Sequence, residues 1–145
     1  MIDYDFEKSP SFWVGMTAHM FETALNAELA GTGITLRQVQ VLASLALHGP
    51  LVQAQLAEMM RIEPSTLVRL IDRMERDDWV VRQPDPDDRR KKLIHPTKKV
   101  ETIWADIIER GGRMEARALR GVSAKDLKQL NATLAKIREN IAGES

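Results

Sequence analysis

The segment from Pro64 to about Asp77 separates its polar and apolar residues cleanly only if it is helical. At about 100° per residue, Ser65, Thr66, Arg69, Asp72, Arg73 and Arg76 fall within an arc of roughly 120°, and Leu67, Leu70, Ile71 and Met74 take the opposite side. One face packs and the other is free. Pro64 suits the first helical position, where its missing amide hydrogen costs nothing and its φ is already helical. Just upstream, Gln53 to Met60 reads as a short helix presenting Leu56, Ala57 and Met60, and Arg61-Ile62-Glu63 leaves a three-residue turn before Pro64. Two helices across so short a turn make a helix-turn-helix candidate.

Longer helices flank this pair. Ser9 is expected to cap a helix from about Pro10 to Ala30, whose Trp13, Met16, Met20 and Ala24 recur near helical spacing, with Gly31-Thr32-Gly33 ending it. Thr35 with Gln38 reads as a capping box for a second helix that stops near Leu47, before Gly49-Pro50. A long helix is expected from Thr97 to about Leu119, interrupted at Gly111-Gly112 by a kink, hinge or close contact, since each glycine in a helix interior costs roughly 1 kcal/mol relative to alanine. Ser123 caps a last helix in which Leu127, Leu130, Leu134, Ile137 and Ile141 follow 3-4-3-4 spacing. That stripe needs a partner surface.

Between these helices, Trp79 to Gln83 and Leu93-Ile94 are β-prone runs joined by Pro84-Asp85-Pro86-Asp87-Asp88, which predicts a hairpin with a partly rigid tip. The tip is cationic: Arg89, Arg90, Lys91 and Lys92 are consecutive. The chain as a whole carries no net charge, but its distribution is uneven: Met1 to Glu58 holds two bases against six acids, and Arg61 to Lys99 holds eleven bases against eight. Such a run is often a solvated loop. Beside a helix-turn-helix it acquires a use: the second helix enters a major groove and the hairpin reaches the flanking backbone or minor groove. Pro64, Ser65, Thr66, Arg69 and Arg73 with Arg89, Arg90, Lys91 and Lys92 are therefore the candidate DNA-binding residues, Arg69 being placed to bridge guanine O6 and N7. Asp85, Asp87 and Asp88 lack the glycine and distal Glu of a calcium loop, and they read as restraints on the tip.

From Leu56 to Thr97 the sequence resembles the MarR family of winged-helix regulators, and Ile62-Glu63-Pro64-Ser65-Thr66-Leu67-Val68-Arg69 is closest to its SlyA-like branch. The wing signature of that family, Asp-x-Arg, five residues, then Leu-Thr, appears as Asp88-Arg89-Arg90 ending in Pro96-Thr97; Pro96 in place of Leu predicts a shortened last strand. The resemblance implies a homodimer joined through the terminal helices, a wing arginine in the minor groove and a pocket for a small aromatic or phenolic effector. Phe12, Trp13, Met16, His19 and Met20 are the candidate ligand contacts, with core or dimer interface as the competing reading of the same stripe.

The expected fold is thus mainly α with a small β-hairpin wing. The expected division is 1–34 for an N-terminal helix contributing to dimerisation, 35–97 for the winged helix-turn-helix and 98–145 for the C-terminal dimerisation helices. The expected function is a ligand-responsive repressor on pseudo-palindromic operator DNA; the alternative is a winged-helix protein-interaction module that does not bind DNA. No nucleophile and base pair up in an enzymatic motif, no phosphate loop calls for a cofactor, and His19, His48 and His95 lie in no metal-ligand spacing. With no cysteine there is neither a disulfide framework nor a redox thiol, and Met1 to Pro10 lacks the basic and apolar pattern of a signal peptide. No stretch approaches the ~20 apolar residues of a membrane span. A reducing cytoplasm is the expected compartment.

Overall fold

A computed structural model of the chain describes residues 5–143, which fall into two compact units, the first ending at Gly112 and the second beginning at Arg113. In the first unit a short 3-10 turn leads into α1 (Pro10–Glu28). Ser9 occupies the N-cap position, but it makes no side-chain cap; its hydroxyl is 3.0 Å from that of Ser11, which supplies a competing partner. Gly31 and Gly33 both adopt positive φ and turn the chain toward α2 (Leu36–His48). The capping box forms as expected: the Gln38 amide donates to Thr35 Oγ1 at 3.3 Å and the Thr35 amide to Gln38 Oε1 at 2.9 Å.

β1 (Leu51–Val52) follows, a strand too short to signal itself in the sequence, then α3 (Gln53–Met60), α4 (Pro64–Arg76), β2 (Val80–Pro84) and β3 (Lys92–Pro96). The three strands form one antiparallel sheet in the order β1-β3-β2, with Leu51 and Arg82 both opposite Ile94. β3 is not shortened by Pro96. Its missing amide falls at the strand end, and the next amide, Thr97, donates to the Trp79 carbonyl at 3.0 Å.

The core is built by the residues that the helical and strand patterns single out. Val41 of α2, Leu56 of α3, Leu67, Ile71 and Met74 of α4, Val80 of β2 and Ile94 of β3 are each under 2% exposed and belong to one cluster. Truncating any of the larger ones to alanine removes about 2–5 kcal/mol at such sites.

A polar junction fixes the sheet to the helices. The Arg82 side chain, 18% exposed, gives Nε and Nη2 to Gln53 Oε1 at 3.0 and 2.8 Å, Nη2 to Asp72 at 2.6 Å and Nη1 to Glu75 at 2.6 Å. Its amide adds a bond to the other Glu75 oxygen at 3.1 Å. One residue of β2 thus joins α3 and α4. The Glu75 carboxyl is held below its usual pKa first by that backbone bond, which burial opposes and the hydrogen bond and charge of the guanidinium reinforce.

α5 (Glu101–Ala118), reached through a 3-10 turn at Lys98–Val100, runs unbroken through Gly111 and Gly112, so the expected interruption is absent. Val100 and Ile107 are in the core cluster, and Arg110 bonds both Asp106 at 2.8 Å and the Glu28 carbonyl at 3.0 Å. These contacts outweigh the weak helix preference of two glycines, neither of which has positive φ. In the second unit the chain turns at Gly121, φ 82°, into α6 (Ala124–Gly143), capped by Ser123 Oγ, which accepts the Asp126 amide at 3.1 Å. α6 has no buried residue.

Three outcomes follow from this packing. A Cβ at Gly112 meets nothing within 4 Å, so Gly112→Ala raises stability by about 0.5–1 kcal/mol in a urea titration. Arg82→Met lowers it by about 2 kcal/mol, a figure tempered by the exposure of its two carboxylate partners. Because the depressed Glu75 pKa adds stability that is present above the unfolded value and lost as pH falls through the folded one, the deficit of Glu75→Gln at about pH 6 shrinks toward about pH 3.

Candidate DNA interface

The two parts of the candidate interface are held by different local devices. The turn before α4 depends on Arg61, which adopts a left-handed conformation at φ 51°, ψ 47° and allows the Ile62 amide to reach the Ala57 carbonyl at 3.1 Å. Glu63 then starts α4, its carbonyl accepting from Thr66 at 2.9 Å and from Leu67 at 3.1 Å, with Pro64 at the first helical position. At the far end of α4, Lys99 Nζ donates to the Asp77 carbonyl at 2.7 Å and lies 4.2 Å from the centroid of the Trp79 ring, and Thr97 Oγ1 donates to the Asp78 carbonyl at 2.6 Å. Both ends of the helix are pinned.

Between them, Ser65, Thr66, Arg69, Asp72, Arg73 and Arg76 are all exposed, as the periodicity requires, and Leu67, Leu70, Ile71 and Met74 are all buried. Arg69 and Arg73 form no ion pair among the described residues. Their charges are available to an outside partner. Val68 also reaches solvent at the margin of this face, a position that sequence reasoning left aside.

The wing tip is tied from within. The Asp85 amide donates to the Lys91 carbonyl at 2.9 Å, the Lys91 amide to the Asp88 carbonyl at 2.8 Å, and the Asp87 amide to Asp85 Oδ1 at 2.9 Å. Asp88 accepts the Arg90 amide at 3.1 Å and pairs with its guanidinium at 3.6 Å. The acids brace the tip, and Arg89, Arg90, Lys91 and Lys92 all stand exposed. At the base of the wing, Arg90, Lys91 and Lys92 share a notch of about 480 Å³ with Arg82 and with Gln53 and Ala54, the first residues of α3.

Sequence reasoning did not single out Arg82, although Asp72 and Glu75, three residues apart on one helix, are a signal that a cation stands opposite. Phe12, Trp13, Met16, His19 and Met20 lie together on α1 and are exposed; Phe12 and Trp13 meet edge to face at 5.2 Å. A separate apolar groove of about 520 Å³ is formed by Leu42 and Ala46 of α2, Pro96 to Lys98, and Val100, Trp104 and Ala105. Among the described residues no three His, Asp or Glu side chains gather where a metal ion could be held, and no helix is long and apolar enough to cross a membrane.

Residues 34–92, which carry the helix-turn-helix and most of the wing, match the family model for the MarR family. Over 128 residues the chain is 25% identical to the uncharacterized HTH-type transcriptional regulator YybA of Bacillus subtilis (strain 168), covering 88% of this chain and 85% of that one. Its fold is similar to that of CouR from Rhodococcus jostii RHA1 bound to p-coumaroyl-CoA, with a TM-score of 0.80 and 29% identity over 93% of this chain and 95% of that one. It is also similar in fold to a mutant MarR from E. coli complexed with operator DNA, with a TM-score of 0.83 and 24% identity over 94% and 99% of the two chains. The segment that carries the helix-turn-helix and most of the wing thus matches the MarR family, and the fold over more than nine-tenths of the chain is similar to that of CouR.

Proposed function

We propose that this chain is a ligand-responsive repressor that binds pseudo-palindromic operator DNA as a homodimer in the cytoplasm and acts by occluding promoter DNA. The observation that carries the reading is the pairing of an uncommitted cationic helix face, with Arg69 and Arg73 exposed, and a braced cationic wing on the same small sheet-and-helix core. Pro64, Ser65, Thr66, Arg69 and Arg73 serve the major groove, and Arg89, Arg90, Lys91 and Lys92 serve the flanking minor groove and backbone. The likeness of residues 62–69 to the SlyA-like branch belongs to the same proposal.

Residues 1–34 and 98–145 supply the dimer contacts, around a DNA-binding segment at 35–97. No residue of α1 or α6 is buried, while Trp13 and Met20 of α1 are 48% and 65% exposed and Leu130 and Ile141 of α6 are 49% and 63% exposed. A second copy covering both faces removes that apolar area from water. The two-fold axis then sets the recognition helices about one DNA turn, roughly 34–36 Å, apart. Release follows when an effector favours another spacing. The proposed effector is a small aromatic or phenolic compound, contacted by Phe12, Trp13, Met16, His19 and Met20. CouR, similar in fold, is bound to p-coumaroyl-CoA, a coenzyme A thioester whose acyl group is phenolic. The groove beside Trp104 is a second apolar surface for it, and Thr97, on its lining, is also the residue that bonds the Asp78 carbonyl just beyond α4.

Titration of operator and scrambled duplexes at several salt concentrations tests the reading. Arg69→Ala relaxes discrimination at one base pair per half-site, by about 1–3 kcal/mol, and leaves non-specific binding largely intact. Arg89→Ala with Arg90→Ala weakens binding to all sequences and flattens the log-log salt slope by about 0.9 for each phosphate that is no longer neutralised. A wild-type protein that shifts no duplex at low salt would instead favour the protein-interaction module. For the assembly, sedimentation at micromolar concentration yields a dimer, and truncation after Val122 abolishes it; a monomeric intact chain contradicts the two-half-site arrangement.

A further inference from the structure

We infer that Val68 is a specificity-determining residue that reads the C5-methyl group of thymine in the major groove. The inference rests on the DNA-reading proposal above. Leu67, Leu70, Ile71 and Met74 are no more than 4% exposed, whereas Val68 is 38% exposed and is the only large apolar side chain that α4 leaves to solvent. It directly precedes Arg69 and follows Ser65 by about one turn, in the N-terminal half of the helix, which is the half that meets base edges when a recognition helix docks. On the helical wheel it stands about 60° from Ser65, and a helical side chain leans toward the N-terminus, so Val68 borders the same patch that Ser65 and Arg69 present.

The chemistry of that patch is divided. Ser65, Thr66 and Arg69 offer hydrogen bonds, which match the donors and acceptors of base edges; the isopropyl group of Val68 offers none. In unmodified DNA the thymine methyl is the one apolar group that a base pair presents in the major groove. Local structure supplies no competing reason for the residue. A β-branched side chain is a poorer helix former than the alanine, leucine or arginine that would suit an unused surface position, and Val68 is not a member of the buried core cluster.

The test uses the full chain and a random-sequence pool of duplex DNA, from which bound duplexes are enriched and a consensus taken. Each thymine of a consensus half-site is then replaced in turn by deoxyuridine, which removes the methyl and leaves every hydrogen-bonding group in place. One substitution per half-site is expected to weaken wild-type binding about fourfold, the equivalent of one methyl withdrawn from contact. Val68→Ala is expected to bind the thymine duplex about as weakly and to be indifferent to deoxyuridine at that one position. The deoxyuridine series on the wild-type protein stands even where the variant folds poorly. If wild type and Val68→Ala show the same thymine-to-deoxyuridine ratio at every position, or if wild type is indifferent throughout, Val68 does not read the methyl although the protein binds DNA. If no duplex is enriched at all, the DNA-reading proposal itself fails.

Discussion

One guanidinium holds the candidate interface together. Arg82 sits on β2, close to the wing, yet its bonds run to Gln53 at the start of α3 and to Asp72 and Glu75 on α4. A wing on a two-residue turn of hydrogen bonds would pivot about its base; one whose first strand is bonded to both helices of the helix-turn-helix moves with them. The arrangement also spends charge in an ordered way. Two carboxylates face one cation, so Arg82 is neutralised inside the domain and contributes little to attracting a polyanion. The proposal gives that task to the arginines and lysines that the fold leaves exposed, Arg69 and Arg73 on α4 and the four at the wing tip. A chain of zero net charge can in this way present a cationic surface where it matters.

Periodicity made most of this legible in advance. The two-faced pattern of Pro64–Arg76 placed Ser65, Thr66, Arg69, Asp72, Arg73 and Arg76 on the exposed side of α4 and Leu67, Leu70, Ile71 and Met74 on the buried side, and Thr35, Gln38 and Ser123 capped the helices they were expected to cap. Local signals failed where long-range contacts decide. Gly111 and Gly112 suggested an interruption by a kink, hinge or close contact, but the residues before them are anchored by Ile107 in the core and by Arg110 on the Glu28 carbonyl, helix continues through both, and a Cβ at either would meet nothing within 4 Å. Pro96 suggested a shorter last strand, but β3 extends through it opposite Val80, and its position at the strand end asks no amide of it. β1 has two residues, too few for any alternation to register, and exists because β3 offers it an edge.

The site divides along the same line. Residues proposed to act through exposure, such as Ser65, Arg69 and the wing cations, can be read from pattern and charge, because exposure is what an amphipathic helix and a turn predict. Residues that act by joining elements cannot: Arg82 and Gln53 are 29 positions apart, and only the folded sheet brings them to 2.8 Å. The same holds for Lys99, whose bond to the Asp77 carbonyl and stacking on Trp79 tie the start of α5 to the end of α4. An aromatic and methionine stripe such as that of α1 is ambiguous for a further reason, since a pocket wall and a dimer face ask for the same side chains.

The central claim is that α4 and the wing read DNA as one rigid pair, the helix in a major groove and the tip in the adjoining minor groove. Dimethyl sulfate footprinting tests it most directly, because the reagent methylates guanine N7 in the major groove and adenine N3 in the minor groove. On a duplex selected by the full-length protein, the account predicts guanine N7 protection in two half-sites about 10–10.5 base pairs apart, with adenine N3 protection on the outer flank of each. Protection confined to one groove, or a single unrepeated half-site, would contradict it.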